Sequence, residues 1–317
     1  MDFTVVMVLI CVISGGYRNR LMAEGNSPVP ANGMTLEAVR DSLIRQEDTI
    51  IFSLIERAKF PLNSPTYQQS YASIPGFSGP LIDFFVKQAE ALQAKTGRYQ
   101  NPEEHPFFPD DLPPSLVPPY DFPPILHPAA NSINVNNKIW DTYFNQLLPL
   151  LAKPGDDGNY ASTATSDLNC LQAISRRIHY GNFVAEVKFK DAPEDYEPAI
   201  RAQIQKLYII IHIPTTIICY NKKCRSLVEF FFFFFRSIFQ DRDALMKLLT
   251  FEAVEKMVVE RVGKKTKTFA QEVTLNSTSR NDQKCKVDPS VVSQLYEKWI
   301  MPLTKLVEVE YLLRRLD

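Results

Sequence analysis

The sequence predicts an all-α fold, helix packed on helix, and three observations carry that prediction. Apolar residues recur at helical spacing through several long stretches, no sustained alternating pattern is flanked by hairpin turns, and capping residues stand where periodic stretches begin. With 317 residues, 45% of them hydrophobic and 22% charged, the chain has the material for a substantial core.

The first element opens at Thr35, a good N-cap, with Glu37 in the first turn; Leu36, Leu43, Ile50, Leu54 and Ala58 then recur at helical spacing until Pro61. Arg40 and Glu47 stand four residues from Leu36 and Leu43, so both should lean toward the core side, unless their stems carry the charges out to water. Leu81 to Lys95 reads as a second helix, and Asn101 to Pro128 as a proline-rich crossing loop. Helices resume at Asn136 to Ala152 and, after the turn PGDDGN, at Ser162 to Tyr180. The C-terminal helix has Asp288 as cap and Pro289 at its first position, with an inward stripe of Leu295, Trp299, Leu303, Leu306, Val309 and Leu313.

Before these elements, Phe3 to Ile13 forms an apolar run of signal-peptide length, too short to span a bilayer, but Asp2 precedes it and the arginines follow it. Residues 1–33 are therefore an N-terminal extension or signal-like segment ending in a linker, Ala23 to Gly33, and the helical domain occupies 34–317.

The formal net charge of −1 provides no field for nucleic acid or an anionic membrane surface. Five cysteines without a CxxC pair and four scattered histidines offer no zinc site. His179 has no partner at ligand or triad spacing, so it reads as a packed or exposed histidine. More suggestive is SDLNCLQAISRRIHYGNFVAEVKF, where Lys188 follows Arg177 by eleven residues. That is close to three helical turns, so both cations share one side if the helix persists or bends only slightly at Gly181, and two cations on one side can grip a dianion. The competing reading makes Arg176 and Arg177 surface charges. Thr304 and Glu308 also share a face, and Glu308 amid valines and leucines is either a salt-bridge partner or a carboxyl with a raised pKa.

Four stretches, LEAVRDSLIRQEDTIIFSLIERAKFP, GRYQNPEEHPFFPDDLP, KPGDDGNYASTATSDLNCLQAISRRIHYGNFVAEVKF and PLTKLVEVEYLLRRLD, together resemble the eukaryotic all-helical chorismate mutases, most of all the non-plastidial plant type. The resemblance covers about 36–203 and 241–317. It implies a homodimeric helical isomerase, cytosolic unless residues 1–25 act as a signal, that converts chorismate to prephenate in phenylalanine and tyrosine biosynthesis without cofactor or metal. It also implies roles: Arg40, Arg177 and Lys188 as substrate-binding cations, Glu255 as the group meeting the ring hydroxyl, and Thr304 with Glu308 as the remaining polar wall. The effector positions of regulated members correspond to Gly97, Arg98, Ala161 and Ser162, where a glycine has become Ala161 and half of a basic pair has become Gly97, so feedback control is not expected.

Residues 204–240 match nothing in that family, and their removal joins RAQ to DRDAL. The segment carries LVEFFFFFFRSIFQ. Phenylalanine codons are all-pyrimidine and CAG encodes glutamine, so this run is what a polypyrimidine tract and splice acceptor look like when translated. The segment reads as a retained intron or gene-structure error, and its periodicity supports neither an amphipathic helix nor a membrane span.

Overall fold

The computed structural model describes residues 34–69, 71, 73–119, 125–212, 242–272 and 285–316, with backbone alone at 203–212. The expectations for the signal-like segment and for the phenylalanine run fall outside these residues. Among the described residues the regular structure is helical, with one isolated bridge between Gln271 and Cys285.

Helix α1 spans Leu36–Arg57 and buries Val39, Ile50, Ile51, Leu54 and Ile55. It packs along α5 (Tyr160–His179), and the two are tied by a buried polar knot. Arg57 Nε donates to Asp167 Oδ1 at 2.6 Å, and the hydroxyls of Tyr67 and Tyr143 donate to the same carboxylate at 2.6 and 2.7 Å. The other Arg57 nitrogens reach the carbonyls of Phe60, Pro61 and Leu62 and the Tyr67 hydroxyl. A buried charge pair persists only when its remaining donors and acceptors are satisfied, and this one is. Close by, Asn63, left-handed at φ 52°, donates to Asp157 and Thr163 and so docks the GDD turn at the start of α5.

Helix α2 spans Leu81–Lys95, as the sequence predicts. Its buried Glu90 accepts the backbone N–H groups of Phe107 and Phe108 at 2.8 and 3.0 Å, which anchors the proline-rich crossing loop. His179 is buried: it stacks on His105 with ring centroids 3.9 Å apart and its Nε2 accepts the Val135 N–H at 3.0 Å. Burial pushes both imidazoles below their ordinary range, His105 to about 4, so they pack as neutral rings.

The helix expected over Asn136 to Ala152 is interrupted. It runs as α3 (Asn136–Thr142), a π turn (Tyr143–Leu147) and α4 (Leu148–Leu151). The C-terminal helix repeats this pattern as α10 (Pro289–Leu295), a π turn (Tyr296–Ile300) and α11 (Met301–Leu313). Each π turn precedes a proline, Pro149 or Pro302, by a few residues. Proline lacks the N–H that would bond the carbonyl four residues back and its ring crowds that carbonyl, so the wider turn absorbs the defect. Trp299 of the second π turn donates to Gln146 of the first at 3.0 Å. The predicted Asp288 cap is present, its Oδ1 accepting the Ser290 N–H at 2.8 Å.

After α5 the chain turns only at Tyr180 and continues as α6 (Gly181–Asp191), then α7 (Pro193–His212), a helix at 242–249 (α8) and α9 (Glu252–Phe269). Helix α7 runs nine residues past Gln203, into the stretch whose pattern supports no amphipathic helix. Propagating an established helix needs no amphipathic pattern, only one further bond per residue. Residues 213–240 lie outside those described.

Candidate active site

Three helices, α5, α6 and α11, meet at the cations singled out in the sequence. The slight bend at Tyr180 keeps Arg177, at the end of α5, and Lys188, on α6, on the side that faces α11. Gly181 sets the approach: a Cβ there would fall 2.9 Å from the Thr304 carbonyl oxygen and 3.2 Å from Thr304 Cγ2. Only a residue without a side chain lets α6 lie this close to α11. Lys188 Nζ consequently donates to Glu308 Oε2 at 3.0 Å, and Arg177 Nη1 reaches Thr304 Oγ1 at 3.4 Å. Thr304 and Glu308, four residues apart on α11, thus present one polar face to both cations.

The electrostatics are unusual for so buried a place. Arg177 is 6% exposed, yet its Nε has no hydrogen-bond partner, and the buried hydroxyl of Tyr296 has none either. Burial works against the Arg177 charge, which Tyr296, Glu47 and Glu308 offset in part. Burial also lifts the Glu308 carboxyl above its ordinary value, against the pull of Lys188, Arg177 and Lys305. A buried guanidinium with donors to spare, beside a carboxyl whose pKa burial raises, is a site built to receive an anion.

Glu255, in the first turn of α9, accepts from Lys305 at 3.0 and 3.3 Å. Glu47 leans inward as expected and is buried, but its carboxylate is taken by Arg261 Nε at 2.9 Å and by Lys265 at 3.1 Å. Arg40 is exposed, the reading in which its stem carries the charge out to water. Seven residues from Glu47, it shares that residue's azimuth, but it sits about 10 Å nearer the helix start, beyond the cover α9 provides at Glu47. The effector positions are not brought together. Arg98 lies against Gln172, and Ala161 and Ser162 are exposed about three turns, or roughly 16 Å, back along α5.

Pattern reading passed over Tyr296, Arg261, Lys265 and Lys305. Tyr296 stands eight residues before Thr304 on the same C-terminal helix, and Lys305 is a basic residue inside an apolar run; both were visible signals. The Glu47 pairings join residues over two hundred positions apart and have no local signature.

A family model described as chorismate mutase type II matches residues 159–309. Chorismate mutase 2 of Arabidopsis thaliana is 55% identical over 289 residues, covering 90% of this chain and 95% of that protein. The cytosolic chorismate mutase 2 of Zea mays is 48% identical over 285 residues, covering 90% and 97%. Among solved structures, AtCM1 with tyrosine bound in its allosteric site superposes with a TM-score of 0.71 at 48% identity, covering 91% of this chain and 99% of that one. A helical architecture shared with that structure, an anion-ready pocket, and identity of this extent over nearly the full length of its relatives place the chain in the chorismate mutase family.

Proposed function

We propose that the pocket between the α5–α6 bend and α11 carries out the rearrangement of chorismate to prephenate, the isomerase activity of the family. The observation that carries this assignment is the buried Arg177 with an unpaired Nε. The reaction is concerted and needs no nucleophile, metal or proton transfer; the catalyst must fold a flexible dicarboxylate so that its enolpyruvyl arm lies over the ring. Arg177 grips one carboxylate from within, Arg40 reaches the substrate from the rim, and Glu255 meets the ring hydroxyl. As the ether bond breaks, negative charge grows on its oxygen. Lys188 and protonated Glu308 donate to that oxygen, with Thr304 completing the wall, and so bind the transition state more strongly than the ground state.

Residues 204–240 are an insertion in an otherwise continuous family domain spanning 34–317. The buried residues flanking it support this. Tyr196 and Ile200 on α7, and Leu245 and Leu249 on α8, are all 7% exposed or less. With 204–240 removed, Ile200 and Leu245 stand eight residues apart and the outer pairs four apart, the spacing of one buried helix side. Tyr196 lies within electrostatic reach of the Glu308 carboxyl group and Arg242 pairs with Glu310, so both pieces lie against α11. The protein acts as a homodimer, and in the cytosol, a location supported by the name of the cytosolic maize relative.

The test is prephenate formation by the full chain and by a chain lacking 204–240. The shorter chain is expected to be at least as active and more soluble. No prephenate from either chain would overturn the assignment, and a less active, less stable short chain would overturn the insertion.

A further inference from the structure

We propose that Phe251 is a positioning residue for Lys188, its ring face holding the ammonium in the pocket. Lys188 Nζ lies 5.4 Å from the centroid of the Phe251 ring, within the range of a cation–π contact, while it also donates to Glu308 Oε2 at 3.0 Å. The ammonium is thus held by both an aromatic face and a carboxyl. Phe251 is the N-cap residue of α9, with non-helical backbone at φ −121° and ψ 85°, one turn before Glu255. It is 54% exposed, so its ring adds little to the core, and core packing does not account for a large apolar side chain there.

The advantage of a ring over a second carboxylate is chemical. A lysine ammonium is strongly hydrated and rides on a flexible four-carbon stem, so without a second partner it swings toward water. A carboxylate would restrain it by taking one of its N–H donors. A ring face restrains it electrostatically and leaves the donors free for Glu308 and for the oxygen on which charge develops. The inference rests on the reading of Lys188 as donor to that oxygen.

The experiment compares the parent with Phe251→Leu, Phe251→Trp and a series carrying ring-fluorinated phenylalanine at 251, which keeps the shape while weakening the negative face. Steady-state kinetics on chorismate should show kcat falling roughly three- to tenfold for Phe251→Leu and stepwise with each fluorine, with KM moving less, while Phe251→Trp keeps the parent rate or exceeds it. Met257→Ala, an equally exposed apolar change on the same helix, should leave both constants unchanged. Because the fluorinated ring is isosteric, the series still decides the matter if Phe251→Leu unfolds. Fluorinated chains as fast as the parent, alongside a collapse of activity in Lys188→Met, would overturn the role of Phe251 alone. Near-full activity in Lys188→Met would overturn the reading of Lys188 on which it stands.

Discussion

Two arginines are buried near opposite ends of α5, and the company they keep differs. Arg57, at 0% exposure, spends its donors on Asp167, Tyr67 and three carbonyls, and Asp167 is further saturated by Tyr143. Arg177, nearly as buried, has one long contact to Thr304 and an unpaired Nε. Both charges cost free energy to bury. In the first case the cost is met within the fold, and in the second the fold leaves part of it open. The contrast separates an architectural charge from one held ready for a ligand, and it makes predictions of opposite kind for the two ends of one helix.

The largest expected effect is at the unsaturated end. Arg177→Ala removes a charge-assisted grip on a substrate carboxylate and the orientation it imposes, so kcat/KM should fall by about three orders of magnitude, roughly 4 kcal/mol of transition-state binding. The melting temperature should hold or rise, since an under-partnered buried charge has been removed. A loss of stability matching the loss of activity would show Arg177 to be architectural after all.

At the saturated end the signature inverts. Asp167→Asn strands the Arg57 guanidinium in the core and should cost on the order of 3–5 kcal/mol of stability, read by denaturant unfolding. Below its lowered melting range the variant should keep near-parent KM, because Asp167 touches no pocket residue. A selective KM defect in a stable variant would erase the distinction drawn between the two arginines.

How much of this was legible beforehand follows the same division. The bounds of Leu81–Lys95 and the Asp288 cap are local features, and local pattern located them. The Arg177, Lys188, Thr304 and Glu308 grouping was legible because two spacings, eleven and four, each put a pair on one helix side, although pattern alone left both the surface-charge and salt-bridge readings open. What was not legible depends on contacts distant in sequence. Whether Arg40 is covered depends on how far α9 extends along α1, and no periodicity in 36–57 records that. The π turns are intermediate: Pro149 and Pro302 announce a defect, but whether a helix kinks, ends or widens there is decided by what packs around it.

A smaller effect, of a few-fold across the pH range, belongs to Glu308. Burial raises its carboxyl pKa, so the protonated donor is present below that raised value and is lost as pH rises through it. Activity should therefore decline on the alkaline side. Glu308→Gln, an amide that donates at every pH, should flatten the decline while retaining activity. Superimposable profiles for parent and variant would remove the protonated carboxyl from the mechanism.

The smallest expected effect is the response to aromatic amino acids, and it extends the comparison to a third arginine. In AtCM1 tyrosine occupies an allosteric site; the family resemblance implies that the corresponding basic pair in this chain is Gly97 and Arg98. Arg98 resembles Arg57 more than Arg177: its Nε and Nη2 donate to Glu104 at 3.0 and 2.9 Å and its Nη1 to Gln172 at 2.7 Å. Gly97 cannot readily regain a side chain, since it sits at φ +82° with a Cβ position 2.6 Å from Val117 Cγ2. The same resemblance implies that Ala161 stands where regulated members place glycine. An arginine held on two sides by Glu104 and Gln172 is less free to turn toward an incoming carboxylate, and a ligand that does not bind one state better than another shifts no equilibrium. Titrating tyrosine, phenylalanine and tryptophan at sub-saturating chorismate should change the rate by less than about twofold, the scale of a coupling well below 1 kcal/mol. A severalfold response that Ala161→Gly leaves unenlarged would mean that the pairing of Arg98 with Glu104 and Gln172 does not silence the site, and that an arginine's existing partners distinguish ligand-binding arginines only inside the active-site pocket.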